Sequence, residues 1–161
     1  LNEDIINYIR GEFKILIGKK SAEELKIATA SVLDLETPLE STIRGRDLVT
    51  GLPREVIITD ADIREAIAAS VDQLVDAVKE VLETAPPEVV SDVMRRGIYL
   101  AGGGALIRGL SQLLGEHMGV PVYVPDDPLT AVVQGTGMIL EDLSKYHEAL
   151  ITQSHEFSPT E

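Results

Sequence analysis

The chain has 161 residues, with 27 acidic against 14 basic side chains and a formal charge of −13, a balance that repels nucleic-acid phosphates and anionic lipid surfaces. It contains no cysteine, which rules out disulfide frameworks and thiolate chemistry. With 44% hydrophobic and 25% charged residues it can bury a core, and its length allows one ordinary domain or one piece of a larger fold. No apolar run approaches the ~18–20 residues that cross a bilayer. The start, Leu1-Asn2-Glu3-Asp4, has neither the basic flank of a signal peptide nor an initiator Met, so the chain is expected to be a fragment or a processed product.

Ile5, Ile6, Ile9, Phe13, Leu16 and Ile17 recur at three- and four-residue steps and predict an amphipathic helix that stops at Gly18. Ser21-Ala22-Glu23-Glu24 reads as a capping box opening a second helix that runs to about Val32. After a Pro38-containing loop over 34–41, residues 42–49 and 55–59 read as two strands flanking the turn Thr50-Gly51-Leu52-Pro53. Asp60 is the expected cap of a long helix whose stripe, Ile63, Ile67, Val71, Leu74, Val78 and Leu82, ends at Pro86-Pro87. The second of these prolines suits the first turn of a short helix over 87–96.

Ile98 to Ala101 then form an apolar strand, Gly102-Gly103-Gly104 a hinge without side chains, and residues 106–118 a helix closing at Gly119. A further strand over 122–124 leads through Asp127-Pro128 to a last helix over 129–146, interrupted by Gly135 and Gly137. From Thr152 the chain is polar and expected to fray.

Three features bear on chemistry. The strand, glycine loop and helix bring backbone N–H groups to an open surface where a nucleotide can lie flat, although a tight turn explains the same glycines. The P-loop ending Gly-Lys-Ser/Thr is absent, and the dinucleotide fingerprint fails because Ile107 stands at its last glycine, even though Asp126 follows the next strand. Glu23, Glu24 and Lys26 lie within one helical turn and can offer a carboxylate and an ammonium to a ribose or purine edge, or can simply form a solvated face. Arg44-Gly45-Arg46-Asp47 puts two guanidinium groups beside an acid on a hairpin arm, either a protein-contact edge or a charged strand that blunts edge pairing. His117, His147 and His155 fit no metal spacing, and no nucleophile elbow or catalytic carboxylate pair stands out. No catalytic residue and no metal ligand is assigned.

Taken in order, Asp4-Ile5-Ile6-Asn7-Tyr8-Ile9-Arg10, Leu16-Ile17-Gly18, Ser21-Ala22-Glu23-Glu24-Leu25-Lys26, Arg44-Gly45-Arg46-Asp47-Leu48, Arg96-Gly97-Ile98, the block from Gly102 to Leu110, and Asp127-Pro128-Leu129-Thr130 closely resemble the C-terminal half of the MreB family, the rod-shape-determining bacterial homologues of actin. The resemblance runs from Leu1 to about Leu143. It implies an α/β actin-like (ribonuclease H-like) second half, with helices packed on a partial sheet and a smaller α+β subdomain carrying a hairpin. Residues 1–70 would be the smaller outer subdomain, 71–146 part of the larger inner one, and 147–161 a polar tail.

The resemblance further implies an ATP-binding protein that polymerises into membrane-associated filaments guiding cell-wall synthesis, cytoplasmic and on the inner face of the membrane. Glu23, Glu24, Leu25 and Lys26, with Gly103, Gly104, Ala105 and Leu106, would contact the adenosine part, and Arg44, Arg46 and Asp47 would touch a neighbouring subunit. Self-assembly, wall-synthesis proteins and membrane proteins are the implied partners; nucleic acid is not. The family's phosphate loops, D-x-G-T and D-I-G-G-G-T-T, do not occur in this chain. Mg2+ and the membrane-inserting segments are therefore expected to belong to residues before Leu1, and the chain by itself is expected to be inactive as an ATPase. A sugar-kinase or heat-shock-chaperone ATPase fragment, or a stand-alone interaction remnant, are the alternatives.

Overall fold

Ile5 and Ile9 lie one turn apart on the first helix, α1 (Asn2–Glu12), and both are completely buried in the computed structural model, which describes residues 1–147. The polar tail expected over 147–161 falls outside the described residues from 148 onward. The helix ends earlier than its apolar stripe, because Lys14 adopts a left-handed conformation with φ 56° and turns the chain. Ile15–Leu16 is therefore a short strand, β1, with Ile15 inward and Leu16 42% exposed. A stripe at three and four here runs a helix and a strand together.

Helix α2 (Lys19–Thr29) starts from Gly18, so Ser21 sits inside the first turn and the expected Ser21–Glu24 capping box does not open it. A capping box forms elsewhere: Thr59 Oγ1 accepts from the Asp62 amide at 3.2 Å, and Asp62 Oδ2 accepts from the Thr59 amide at 2.8 Å. Thr59, rather than Asp60, caps helix α3 (Asp60–Thr84).

Strands β2 (Glu40–Asp47) and β3 (Pro53–Thr59) form the expected antiparallel hairpin, with Ile43 opposite Val56 and Arg46 opposite Pro53. β1 adds on the other side, Ile15 against Asp47 and Leu16 against Arg46, giving the order β1-β2-β3. Arg46 and Asp47 thus lie on the middle strand, which corrects the reading of this segment as an edge. Gly45 is where β1 comes close: a Cβ there would collide with Ile15 Cγ2 and stand 2.6 Å from the Leu16 carbonyl oxygen.

Ile63, Ile67, Val71 and Val75, four residues apart, bury one face of α3 against α1, α2 and the sheet. Each fully buried Ile contributes roughly 1.5–3 kcal/mol of transfer free energy. Residue 70 falls in the middle of this 25-residue helix, so one rigid rod continues across the expected subdomain limit.

The second half follows as α4 (Pro87–Arg96), then β4 (Ile98–Tyr99), paired in parallel with β5 (Val122–Tyr123) across helix α5 (Leu110–Met118). α5 starts four residues later than the pattern predicts. Gly103–Leu106 forms a single 3-10 turn, Ile107 is extended, and Gly109, at φ 79°, caps the helix. The last helix, α6 (Ala131–Glu141), is shorter than expected at both ends and passes through Gly135 and Gly137 without a break.

Two buried carboxylates tie the first half of the chain together. Asp60, 4% exposed, accepts the Leu39 amide at 2.9 Å and pairs with Arg64 at 3.1 Å. Asp47, 7% exposed, accepts the amides of Val49 and Thr50 at 2.8 and 2.9 Å and pairs with Arg54. The Leu39 amide holds the Asp60 carboxyl below its ordinary value, with Arg64 adding to the effect; the Thr50 and Val49 amides do the same for Asp47. The unfolded state therefore binds more protons than the native state near the usual Asp pKa of about 3.9. The contribution of both groups is complete at neutral pH and is lost as pH falls through their depressed native values. Melting temperature should thus drop from pH 7 to pH 3, and Asp60→Asn should start lower and drop less. Parallel curves for the two proteins would contradict this role of Asp60.

Candidate functional site

Lys26 is three residues beyond Glu23 on α2, which places their heads on the same side of the helix. Lys26 Nζ lies 2.7 Å from Glu23 Oε2 and 3.0 Å from Asn2 Oδ1, while Asn2 Nδ2 donates to Glu23 Oε2 at 2.6 Å. Asn2, at the start of α1, thereby joins a three-residue cluster. The Lys26 ammonium, followed by the Asn2 amide, holds the Glu23 carboxyl below its usual range, so Glu23 is an acceptor at neutral pH.

Facing this cluster is the 3-10 turn. Gly102, at φ 84°, needs glycine for its backbone, and its amide donates to the Pro128 carbonyl at 2.6 Å, tying the turn to the segment that carries Leu129. Gly103 has no positive φ, and a Cβ on it would meet only Leu129 Cδ2, at 3.5 Å.

Between the two walls lies a cleft of about 280 Å3 lined by Glu23, Lys26, Ile27, Gly103, Leu106, Ile107, Arg108 and Leu129. Two segments some 80 positions apart in sequence converge on it. Ile27, Leu106 and Leu129 are 68%, 56% and 66% exposed, which leaves apolar surface open for the face of a flat ring. Glu23 offers acceptors and Lys26 and Arg108 donors at the rim. An apolar cleft with a few convergent polar groups is the usual form of a small-molecule site.

Of the eight residues expected at the adenosine part, Glu23, Lys26, Gly103 and Leu106 line this cleft. Glu24 points to the other side of α2, toward Lys20 at 3.8 Å, and borders a separate groove with Ser21 and Arg44. Leu25 is 2% exposed in the core, Ala105 is buried under the turn, and Gly104 is exposed with nothing near its missing side chain. The expected set did not include Asn2, Ile27, Ile107, Arg108 or Leu129. Arg108 and Leu129 sit in blocks that carry the resemblance, whereas no local signal marks Asn2 or Ile27.

Of the three hairpin residues, Asp47 is turned inward, Arg44 pairs with Glu55, and Arg46 is exposed and forms no ion pair among the described residues. The described residues also contain no group of three His, Asp or Glu side chains arranged to hold a metal. Glu23, the one carboxylate on the cleft, is already bonded to Lys26 and Asn2. A nucleotide's base and ribose fit this donor set; its Mg2+ does not.

The sequence profile of the MreB/Mbl protein family matches residues 1–148. The cell shape-determining protein Mbl of Bacillus subtilis is 45% identical over 142 residues, covering 88% of this chain and 43% of Mbl. The cell shape-determining protein MreB of Escherichia coli K12 is 40% identical over 152 residues, covering 94% of this chain and 44% of its own length. Crystallised MreB5 of Spiroplasma citri bound to ADP superposes with a TM-score of 0.85 at 37% identity, over 91% of this chain and 45% of MreB5; its AMPPNP-bound form gives 0.84. The chain spans less than half the length of these relatives. Its fold is actin-like, and the chain belongs to the MreB/Mbl family of cell shape-determining proteins.

Proposed function

We propose that this chain is the adenosine-binding side of an ATP cleft in a filament-forming, cell shape-determining protein. The observation that supports this best is the convergence of Glu23 and Lys26 with Gly103 and Leu106 on one amphipathic cleft, in a family where a 37% identical relative binds ADP. Ile27, Leu106 and Leu129 bind the purine faces, Glu23 accepts from a ribose hydroxyl or the base, and Lys26 orients Glu23 and donates to the ligand. The triphosphate and its Mg2+ are held by the part of the relatives' length that this chain does not span. Residues 1–70 act as the outer subdomain and 71–146 as part of the inner one. Filaments form by self-association at the cytoplasmic face of the membrane, where they meet wall-synthesis and membrane proteins. The family match favours this reading over a sugar kinase, a chaperone or an interaction remnant.

Calorimetric titration of the whole protein with Mg-ATP tests the reading. Lys26→Met should weaken binding by about tenfold, since a charge-assisted hydrogen bond contributes roughly 1.5–3 kcal/mol. Wild-type protein that binds no nucleotide would defeat the proposal.

The hairpin carries the assembly part of the reading. Arg46 is exposed beside an apolar tip, where Leu48, Val49 and Leu52 are 47%, 83% and 66% exposed. Charges on such an arm add little to stability but set register across an interface. Arg46→Ala should raise the critical concentration for assembly several-fold and leave the melting temperature nearly unchanged. Sedimentation beside thermal melts decides; normal assembly with a large melting shift would reverse the assignment.

A further inference from the structure

The two walls of the cleft are joined directly behind it. Ser31, just past the end of α2, forms a parallel β-bridge with Arg108, and the Val32 amide donates to the Arg108 carbonyl at 2.9 Å. The Ser31 hydroxyl, fully buried, donates to the Leu33 carbonyl at 2.7 Å, and Arg108 Nη1 donates back to the Ala30 carbonyl at 3.3 Å. Next to the bridge, Leu33 packs into the space left by the absent side chain of Gly109, where a Cβ would sit 2.8 Å from Leu33 Cγ and 2.9 Å from its Cδ1. Arg64 of α3 holds the Leu33 carbonyl from below at 3.1 Å.

This joint lies close to the cleft on both sides. Ile27 is two residues before the end of α2 and four before Ser31, and Ile107 is the neighbour of Arg108. Neither Ser31, Leu33 nor Gly109 lines the cleft. A packed joint transmits displacement rather than absorbing it, so its geometry sets the separation of α2 from the 3-10 turn.

We propose that the Ser31–Leu33 segment and Arg108-Gly109 form a positioning joint that fixes the width of the cleft and thereby its affinity for the adenosine part of a nucleotide. The proposal rests on the nucleotide reading of that cleft. Gly109→Ala adds a methyl group against Leu33 Cγ, Cδ1 and Cβ, so Leu33 has to shift and push its segment away from Gly109. Leu33→Ala leaves a void and loosens the joint. Each single variant should weaken binding, Gly109→Ala by about tenfold, the size of effect expected when one well-placed polar contact across the cleft is lost. In the double variant the new methyl group occupies the vacated space and affinity should recover most of the way.

The positive φ at Gly109 separates this from a purely structural role. Its strain is the same with Leu or Ala at 33, so it stays in the melting temperature of both Gly109→Ala proteins. Only the steric part is relieved in the double variant. Mg-ATP titrations of the whole protein, at a temperature where circular dichroism shows each variant folded, test this. Lower melting with unchanged ATP affinity in the single variants, or loss of affinity without recovery in the double, overturns the proposal. If Gly109→Ala does not fold, Leu33→Ala alone decides, and an unchanged affinity overturns it. Wild-type protein that fails to bind ATP instead overturns the nucleotide reading itself.

Discussion

Gly103→Val should lower ATP affinity by at least about tenfold, close to 1.4 kcal/mol, while the unliganded protein melts within a few degrees of wild type. Gly103 does not occupy the left-handed region, so a side chain meets no backbone strain there. A Cβ at this position would have Leu129 Cδ2 as its nearest neighbour, at an ordinary contact distance of 3.5 Å. The branched methyl groups of Val therefore extend into the cleft of about 280 Å3 and take up space needed by the base or ribose. Ala should have a smaller effect of the same sign. A turn glycine held for its φ would behave oppositely, losing stability without losing ligand, and Gly102 at φ 84° is the position where that is expected. Titration with Mg-ATP beside melting of the apo protein separates the two; unchanged affinity with lowered stability for Gly103→Val would remove the 3-10 turn from the binding site.

Gly45→Val should have the largest effect on the fold, about 3 kcal/mol or more of lost stability, at the upper end of what overpacking a core does. Its added atoms meet Ile15, which is fully buried, and the backbone carbonyl of Leu16, which cannot rotate away. Relief requires β1 to leave β2, which exposes Ile15 and breaks the pairing of Ile15 with Asp47 and of Leu16 with Arg46. Urea denaturation should show this as a shifted midpoint, whereas Arg46→Ala, one residue away on the exposed face, should remain within about 0.5 kcal/mol of wild type. Wild-type stability for Gly45→Val would mean that β1 does not pack against β2.

The contrast between these neighbours shows what the block Arg44-Gly45-Arg46-Asp47 conceals. As residues in a row they read as one charged contact surface. In the fold, Gly45 admits a neighbouring strand, Asp47 holds a turn together, and Arg46 alone is left outward and without an ion pair among the described residues. A strand alternates faces at every residue, so four consecutive residues cannot share one role.

The long-range composition of the cleft is partly legible in the sequence. Glu23, Lys26, Gly103 and Leu106 are reached through the resemblance, yet Glu24 and Leu25 come with them only because they stand beside Glu23. Helical geometry separates them by about 100° per residue, which sends Glu24 toward solvent and Leu25 into the core. Asn2 reaches Glu23 from another helix, a contact that no local spacing encodes.

By itself the sequence determined the helices with long apolar stripes, the hairpin, the glycine turn and the family, because these depend on spacing and residue type within a short window. Only the tertiary structure decided where α1 gives way to β1, which residue caps α3, and which residues face the cleft. Those outcomes depend on contacts between distant segments: the Lys14 turn is held by the Leu48 amide at 2.8 Å, and the two segments that line the cleft are joined where Ser31 meets Arg108 across 77 positions. Such pairings contribute free energy only once both partners are in place, so neither segment carries a signal of its own.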